Sequence, residues 1–177
     1  MKIERKWCMP NSITFKMKPV ADLLYKEVKN GLWLDPFANE RTFYKMFENN
    51  PNLEIFDNDL NPLYATHFNL DAVDFLKSYS NESVDGIVYD PPYSPRQVSE
   101  CYKQFGYAVT SETTRSDWWT KHKKEITRIV KSGGKVISFG WNSGGIGKTN
   151  GFIIDNILLI PHGGKHNDTI ITVEIKT

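Results

Sequence analysis

Apolar positions along the chain alternate between helical and extended spacing, which predicts helices and strands in turn. Residues 20–30 (VADLLYKEVKN) place apolar side chains at helical spacing and stop against Gly31, a residue suited to a helix C-cap. A short buried strand, 32–34, then ends at Asp35-Pro36. A second helix is predicted over 39–50, with Phe43, Met46 and Phe47 on one face. Residues 53–56 read as a strand that runs into Asp57-Asn58-Asp59 and the turn signal Asn61-Pro62. A weak strand over 64–68 and a helix over 72–79, opening behind Asp71, lead to a strand over 84–89. That strand ends at Asp90-Pro91-Pro92-Tyr93.

The pattern resumes after a polar stretch, 94–116, that has no assignable period. Residues 117–131 form a basic helix, and a strand over 135–139 follows the turn Ser132-Gly133-Gly134. A glycine-rich loop spans 140–151, and two apolar strands, 152–160 and 169–175, are joined by 161–168. Strands alternating with helices predict an α/β protein with a doubly wound, mostly parallel sheet. The last strand lacks a crossover helix and is expected to be antiparallel. In such sheets ligands sit beyond the carboxyl ends of the strands.

Each early strand delivers an acid to that edge: Asp35, Asp59, Asp71 and Asp90 lie just beyond apolar runs. One such Asp would read as a helix cap, worth roughly 1 kcal/mol. Four on one edge predict a crevice lined with acceptors for hydroxyls and amines, with one or two of them still serving as caps. Asp90-Pro91-Pro92-Tyr93 is the sharpest signal. Two prolines fix a stiff turn without N–H donors, so carbonyls and the Asp side chain remain as acceptors. Tyr93 adds a flat face on which a base can stack. The arrangement suits a planar exocyclic amine, with Asp90 and the Pro91 carbonyl accepting its hydrogens.

Composition narrows the classes. The chain has 177 residues, 40% hydrophobic and 24% charged, enough for one core without room for a separate recognition domain. No apolar run approaches the roughly 18 residues of a membrane span, and MKIERKWCMP does not read as a signal peptide. Two cysteines, Cys8 and Cys101, make neither a disulfide scaffold nor a four-thiolate zinc site, so a cytoplasmic protein is expected. The net charge of +1 is divided unevenly: residues 1–88 sum to −3 and residues 89–177 to +4. A polyanion should therefore meet the second half.

Val88-Tyr89-Asp90-Pro91-Pro92-Tyr93 resembles the catalytic motif of amino-group DNA methyltransferases. Thr14–Pro19 (TFKMKP), Leu34–Asn39 (LDPFAN), Asn58-Asp59-Leu60-Asn61-Pro62 and Asp71-Ala72 resemble that family's other motifs in order. The chain is most similar to small, often phage-encoded adenine methylases. Their Asp-Pro-Pro-Tyr-Ser-Pro-Arg-Gln, Phe-Gly-Trp-Asn and His-Gly-Gly-x-His-Asn-Asp-Thr stretches recur at 90–97, 139–142 and 162–169. The resemblance implies a Rossmann-like methyltransferase sheet in a single domain, 1–177, and methyl transfer from S-adenosylmethionine to adenine N6 in DNA.

It also implies roles for individual residues. Asp59, with Leu60, would meet the cofactor ribose hydroxyls, and Asp71, with Ala72, the amine of the cofactor adenine. Asp35, Phe37, Ala38 and Asn39 would shape the methionine end, with Phe15 closing over it. Asp90, Pro91, Pro92 and Tyr93 would hold a flipped-out base. Many relatives carry glycines after the first cofactor motif, where this chain has Asn39-Glu40-Arg41. Asn tolerates left-handed backbone better than most residues.

Ser94, Arg96, Arg115 and Lys148 are candidates for DNA contact. The basic residues of 117–131 suit either a solvated face or DNA. Gly144-Gly145-Ile146-Gly147-Lys148-Thr149 lacks the first glycine of a phosphate-binding loop, Asn142 standing in its place. His162 and His166 lack the partners of a metal site and are expected in a turn. Methylation at cytosine C5 needs a cysteine nucleophile, and neither cysteine follows a proline. RNA or cytosine N4 as the methyl acceptor, and a non-catalytic protein that binds DNA or sequesters the cofactor, are the alternatives. Oligomeric state is open between monomer and homodimer.

Overall fold

The computed structural model describes residues 1–110, 115 and 117–177. The polar stretch 94–116 therefore falls partly outside the described residues. In chain order the elements are β1 (Lys2–Arg5), α1 (Lys18–Glu27), β2 (Gly31–Asp35), α2 (Thr42–Phe47) and β3 (Leu53–Asp57). They continue with α3 (Ala72–Lys77), β4 (Val84–Tyr89), α4 (Pro95–Gln104) and α5 (Asp117–Ile129). β5 (Val130–Gly140), β6 (Phe152–Ile160) and β7 (Thr169–Lys176) complete a seven-stranded sheet of order β1-β6-β7-β5-β4-β2-β3.

Six strands run parallel, and β7 lies antiparallel between β5 and β6. The expected doubly wound sheet with an antiparallel last strand is therefore the observed fold. Continuous apolar runs in β4 and β5 reflect burial on both faces. Val88 and Ile137 point into a core with α1 and α2, where Val20, Leu24 and Phe43 pack. Ile87, Tyr89 and Val136 point into the opposite core with α3 and α5, against Phe75, Leu76 and Ile126. Successive residues of a strand face opposite sides, so β4 and β5 are each shared by both cores. Among the described residues no helix is long and apolar enough to cross a membrane.

Three local expectations are corrected, and one strand goes beyond them. Residues 64–68 form no strand, only an isolated bridge between Phe68 and Asn58. The loop is held instead by side chains: Asn58 bonds Pro36 O and Leu70 through its amide, and Asn69 Nδ2 reaches Asp59 O and Asn61 O. Ser132-Gly133-Gly134 is not a turn ahead of the strand but a bulge inside β5, where the register with β4 shifts between Val84 and Gly86. α2 begins at Thr42 and not at residue 39, because Asn39 and Arg41 adopt left-handed backbone at φ 48° and 62°. Finally, β1 pairs with β6 although its sequence, KIER, contains a single apolar residue.

The chain leaves β2 for β3 on one side and returns to β4 on the other. The carboxyl ends of β2 and β4 thus flank the switch point where open α/β sheets form their crevice. Gly86 makes this adjacency close: a Cβ there would sit about 2.5 Å from the Trp33 ring of β2.

Candidate active site

β2 ends in Asp35, which is fully buried. Its Oδ1 accepts the Phe37 N–H at 3.2 Å, while Oδ2 has no partner among the described residues. Burial, reinforced by Asp90, Asp57 and Asp59, raises its pKa well above the usual carboxylate value. An orphaned carboxylate oxygen is costly to bury and marks a place for a cation or donor.

β3 delivers Asp57 and Asp59 to the same edge. Asp57 receives the Arg41 guanidinium at 2.6 and 3.1 Å and the backbone N–H of His67 at 2.9 Å. That pairing holds the loop after β2 against the loop after β3. Asp59 accepts the N–H groups of Asn39 and Asn61, each at 2.8 Å, and burial raises its pKa. Each of its oxygens retains a lone pair for a further donor. Asp71 caps α3 through Val73 N at 2.9 Å, and its other oxygen accepts the Tyr102 hydroxyl at 2.7 Å. It is both a helix cap and part of the crevice.

These loops enclose a cavity of about 390 Å³. Of the predicted cofactor residues, Phe37, Asn39, Asp59, Leu60, Asp71 and Ala72 line it. Asp35 and Ala38 are buried behind the wall. Phe15 does not close over the cavity: it packs in the core between Phe43 and Phe139, with ring centroids 6.3 and 5.2 Å away. Its neighbour Thr14 lines the cavity instead. Tyr102 and Trp118 also line it and were not singled out from sequence. Both lie on or next to the stretch without a period, although Ser94-Pro95 is a readable helix start.

β4 ends in Asp90, and the Tyr93 hydroxyl donates to Asp90 Oδ1 in a very short hydrogen bond. The Thr14 side chain also hydrogen-bonds to this carboxylate. Burial pushes the Asp90 pKa up to about 6, against which the Tyr93 bond works. Tyr93 N–H donates to Gln97 Oε1 at 2.6 Å, and Trp119 Nε1–H to Pro92 O at 2.9 Å, so α4 and α5 brace the turn. A second cavity of about 130 Å³ opens on this turn, lined by Tyr93, Trp119, Lys123, Trp141, Asn142 and further residues. Pro91 and Tyr93 line both cavities.

The predicted DNA contacts lie outside both cavities. Ser94 Oγ accepts the Gln97 N–H and caps α4. Arg96 is exposed and pairs with Glu100, Arg115 is exposed near Asp117, and Lys148 is exposed in the single turn 148–150. His162 bonds Cys8 O and Thr169 Oγ1, both at 2.8 Å, and so ties the turn before β7 to the N-terminal segment.

The sheet, its order and the crevice at the switch point together define a Rossmann-like methyltransferase fold. TrmN from Thermus thermophilus superposes with a TM-score of 0.62 at 16% identity, over 91% of this chain and 49% of that one. A 1,6-didemethyltoxoflavin-N1-methyltransferase from Burkholderia thailandensis, solved with S-adenosylhomocysteine, superposes with a TM-score of 0.61 at 12% identity. That match covers 90% of this chain and 77% of the other. In sequence, the chain is 25% identical over 119 residues to Type II methyltransferase M.BamHI from Bacillus amyloliquefaciens, covering 59% of this chain. The chain spans about a quarter of that relative's length, 27%. No family model matches the chain.

Proposed function

We propose that this protein is an S-adenosylmethionine-dependent methyltransferase acting on the exocyclic N6 of adenine in DNA. The observation that carries the reading is the shared wall: one rigid turn, Pro91 to Tyr93, borders both a large acid-edged cavity and a small aromatic one. A methyl donor on one side and an acceptor ring on the other would meet at Asp90.

The residues present fit the cofactor. Asp59 keeps lone pairs for ribose hydroxyls and Asp71 for an amine, and the buried Asp35 backs the wall at the methionine end. Phe37, Leu60 and Ala72 supply apolar wall. When bound, the cofactor supplies an electrophilic sulfonium methyl group. Adenine N6 is a weak nucleophile because its lone pair is delocalised into the ring. The Asp90 carboxylate and the Pro91 carbonyl accept its hydrogens and favour an amine-like nitrogen. The nitrogen that gains a methyl group must lose a proton, and the Asp90 carboxylate, ionised at neutral pH, takes it. Rigid positioning by the doubly braced turn supplies much of the acceleration.

A duplex base must leave the stack, at a cost of a few kcal/mol. Stacking on aromatic side chains returns roughly 1–3 kcal/mol, and Tyr93 and Trp141 offer such faces. DNA as substrate is supported by the motif resemblance, by the similarity to a Type II methyltransferase, and by the basic second half. Asp rather than Ser at the head of the turn supports adenine N6.

The test incubates the protein and Asp90→Ala with isotope-labelled S-adenosylmethionine and unmethylated duplex DNA, then identifies methylated nucleosides by mass spectrometry. N6-methyladenine from the unaltered chain alone is expected. Cofactor binding without a methylated nucleoside on duplex DNA, single-stranded DNA or RNA would sink the reading in favour of sequestration.

A further inference from the structure

Glu174 is a buried carboxylate that the proposed chemistry does not use. It sits on β7 opposite Val136 of β5 and is fully buried. Its carboxylate faces the glycine-rich loop. Oε2 accepts the Ile146 N–H at 2.7 Å, Oε1 accepts the Gly147 N–H at 2.9 Å, and the Ser138 hydroxyl donates from β5 at 3.4 Å. Charge-assisted bonds to backbone amides are roughly twice as strong as neutral ones.

The loop is shaped around this carboxylate. Gly145 has a φ of +50°, and a Cβ at that position would collide with the Glu174 carboxylate. Gly147 is also left-handed, with φ +98°. Asn150 Nδ2–H then donates to Ile146 O at 2.7 Å, so the segment is gripped from both sides. What the grip holds in place is the outer wall of the small cavity: Trp141, Asn142 and Gly145 all line it. Trp141 is 43% exposed and meets Tyr93 edge to face, with ring centroids 5.6 Å apart. The glycine-rich run, a poor phosphate loop, thereby acquires a different purpose.

We infer that Glu174 is a positioning residue for the methyl acceptor: through Ile146 and Gly147 it holds Trp141 and Asn142 against the Pro91–Tyr93 turn and so sets the pocket that receives the planar ring. The inference rests on the proposed function and adds to it the residue that shapes the acceptor side. Glu174 touches neither substrate nor cofactor in this scheme, so its loss should act on acceptor recognition and spare the cofactor cavity.

The test is a double-substitution cycle on the full chain with Glu174→Gln and Trp141→Ala, read by steady-state methylation of duplex DNA. Gln keeps one acceptor oxygen but turns a donor toward one of the two amides. Each single change should raise KM for DNA about tenfold with kcat changed by less than about threefold. The double variant should match Trp141→Ala within about twofold, because residues acting through one contact are not additive. Affinity for S-adenosylhomocysteine, read by calorimetry, should stay within about twofold throughout. Amide hydrogen exchange should accelerate over 144–147 and remain slow in β5 and β7.

Additive effects on KM, or faster exchange with an unchanged KM, would overturn the inference and leave Glu174 a structural residue. Should Glu174→Gln fold poorly, Glu174→Asp retracts the carboxylate by one methylene while keeping its charge, and repeats the cycle. Absence of methyl transfer by the unaltered protein would instead overturn the proposed function and this inference with it. Unchanged exchange over 144–147 would refute the anchoring alone.

Discussion

Asp90 and Asp35 are both carboxylates whose charge is disfavoured by burial, but the two pKa shifts have different consequences. In the proposed reaction Asp90 must be ionised to accept the amine hydrogens, and its pKa is raised to about 6. The rate of methyl transfer should therefore fall as pH drops through about 6, approaching tenfold per pH unit below it. Asp90→Asn should remove this acid limb along with most of the activity, which a pH–rate profile would show. For Asp35 the effect is on stability. Its folded pKa lies above the ordinary value, so ionisation opposes folding at neutral pH and ceases to do so below about 3.8, where the unfolded group is itself protonated. Asp35→Asn should raise the melting temperature at pH 7, with the gain shrinking towards pH 4.

At the scale of elements, the loops after β2 and β3 replace glycine with a buried ion pair. Arg41 adopts left-handed backbone at the start of α2 and reaches Asp57, which is fully buried. Asp57→Ala should cost about 3–5 kcal/mol in chemical denaturation, since it leaves the Arg41 guanidinium unpaired. Arg41→Gly should be less damaging than Arg41→Ala by about 1 kcal/mol, because only the first relieves the positive φ. Elements with long apolar runs were legible from sequence: β4 and β6 match their predicted limits, and the acids beyond the strands mark the crevice. Elements whose order comes from long-range partners were not. β1 has one apolar residue and exists because β6 offers an edge, and α4 buries only Val98. Residues 64–68 have strand-like composition, but the Asn58 and Asn69 amides hold the surrounding loop from the side. Glu174 is equally silent in sequence, since nothing near it reports the loop it holds.

For the molecule as a whole, a net charge of +1 cannot by itself secure a polyanion. α5 carries Lys121, Lys123, Lys124 and Arg128 against Asp117 and Glu125, and Lys121 and Lys124 stand exposed beside the residues that line the small cavity. Replacing both with Gln should make the dependence of log DNA affinity on log salt shallower by about 2, if each neutralises one phosphate. Affinity for S-adenosylhomocysteine should not change. An unaltered slope from filter-binding or anisotropy titrations would assign these lysines to solvent.

The placement of β7 also bears on the order in which the protein can be assembled. Of the seven strands it is made last, yet it lies between β5 and β6 and joins the β1–β6 pair to the rest of the sheet. A chain emerging from the ribosome can close its larger cavity early, from β2 through α5, but the wall of the small cavity at Trp141 and Asn142 waits for Thr169–Lys176. Competence to bind the donor should thus precede competence to use it during synthesis.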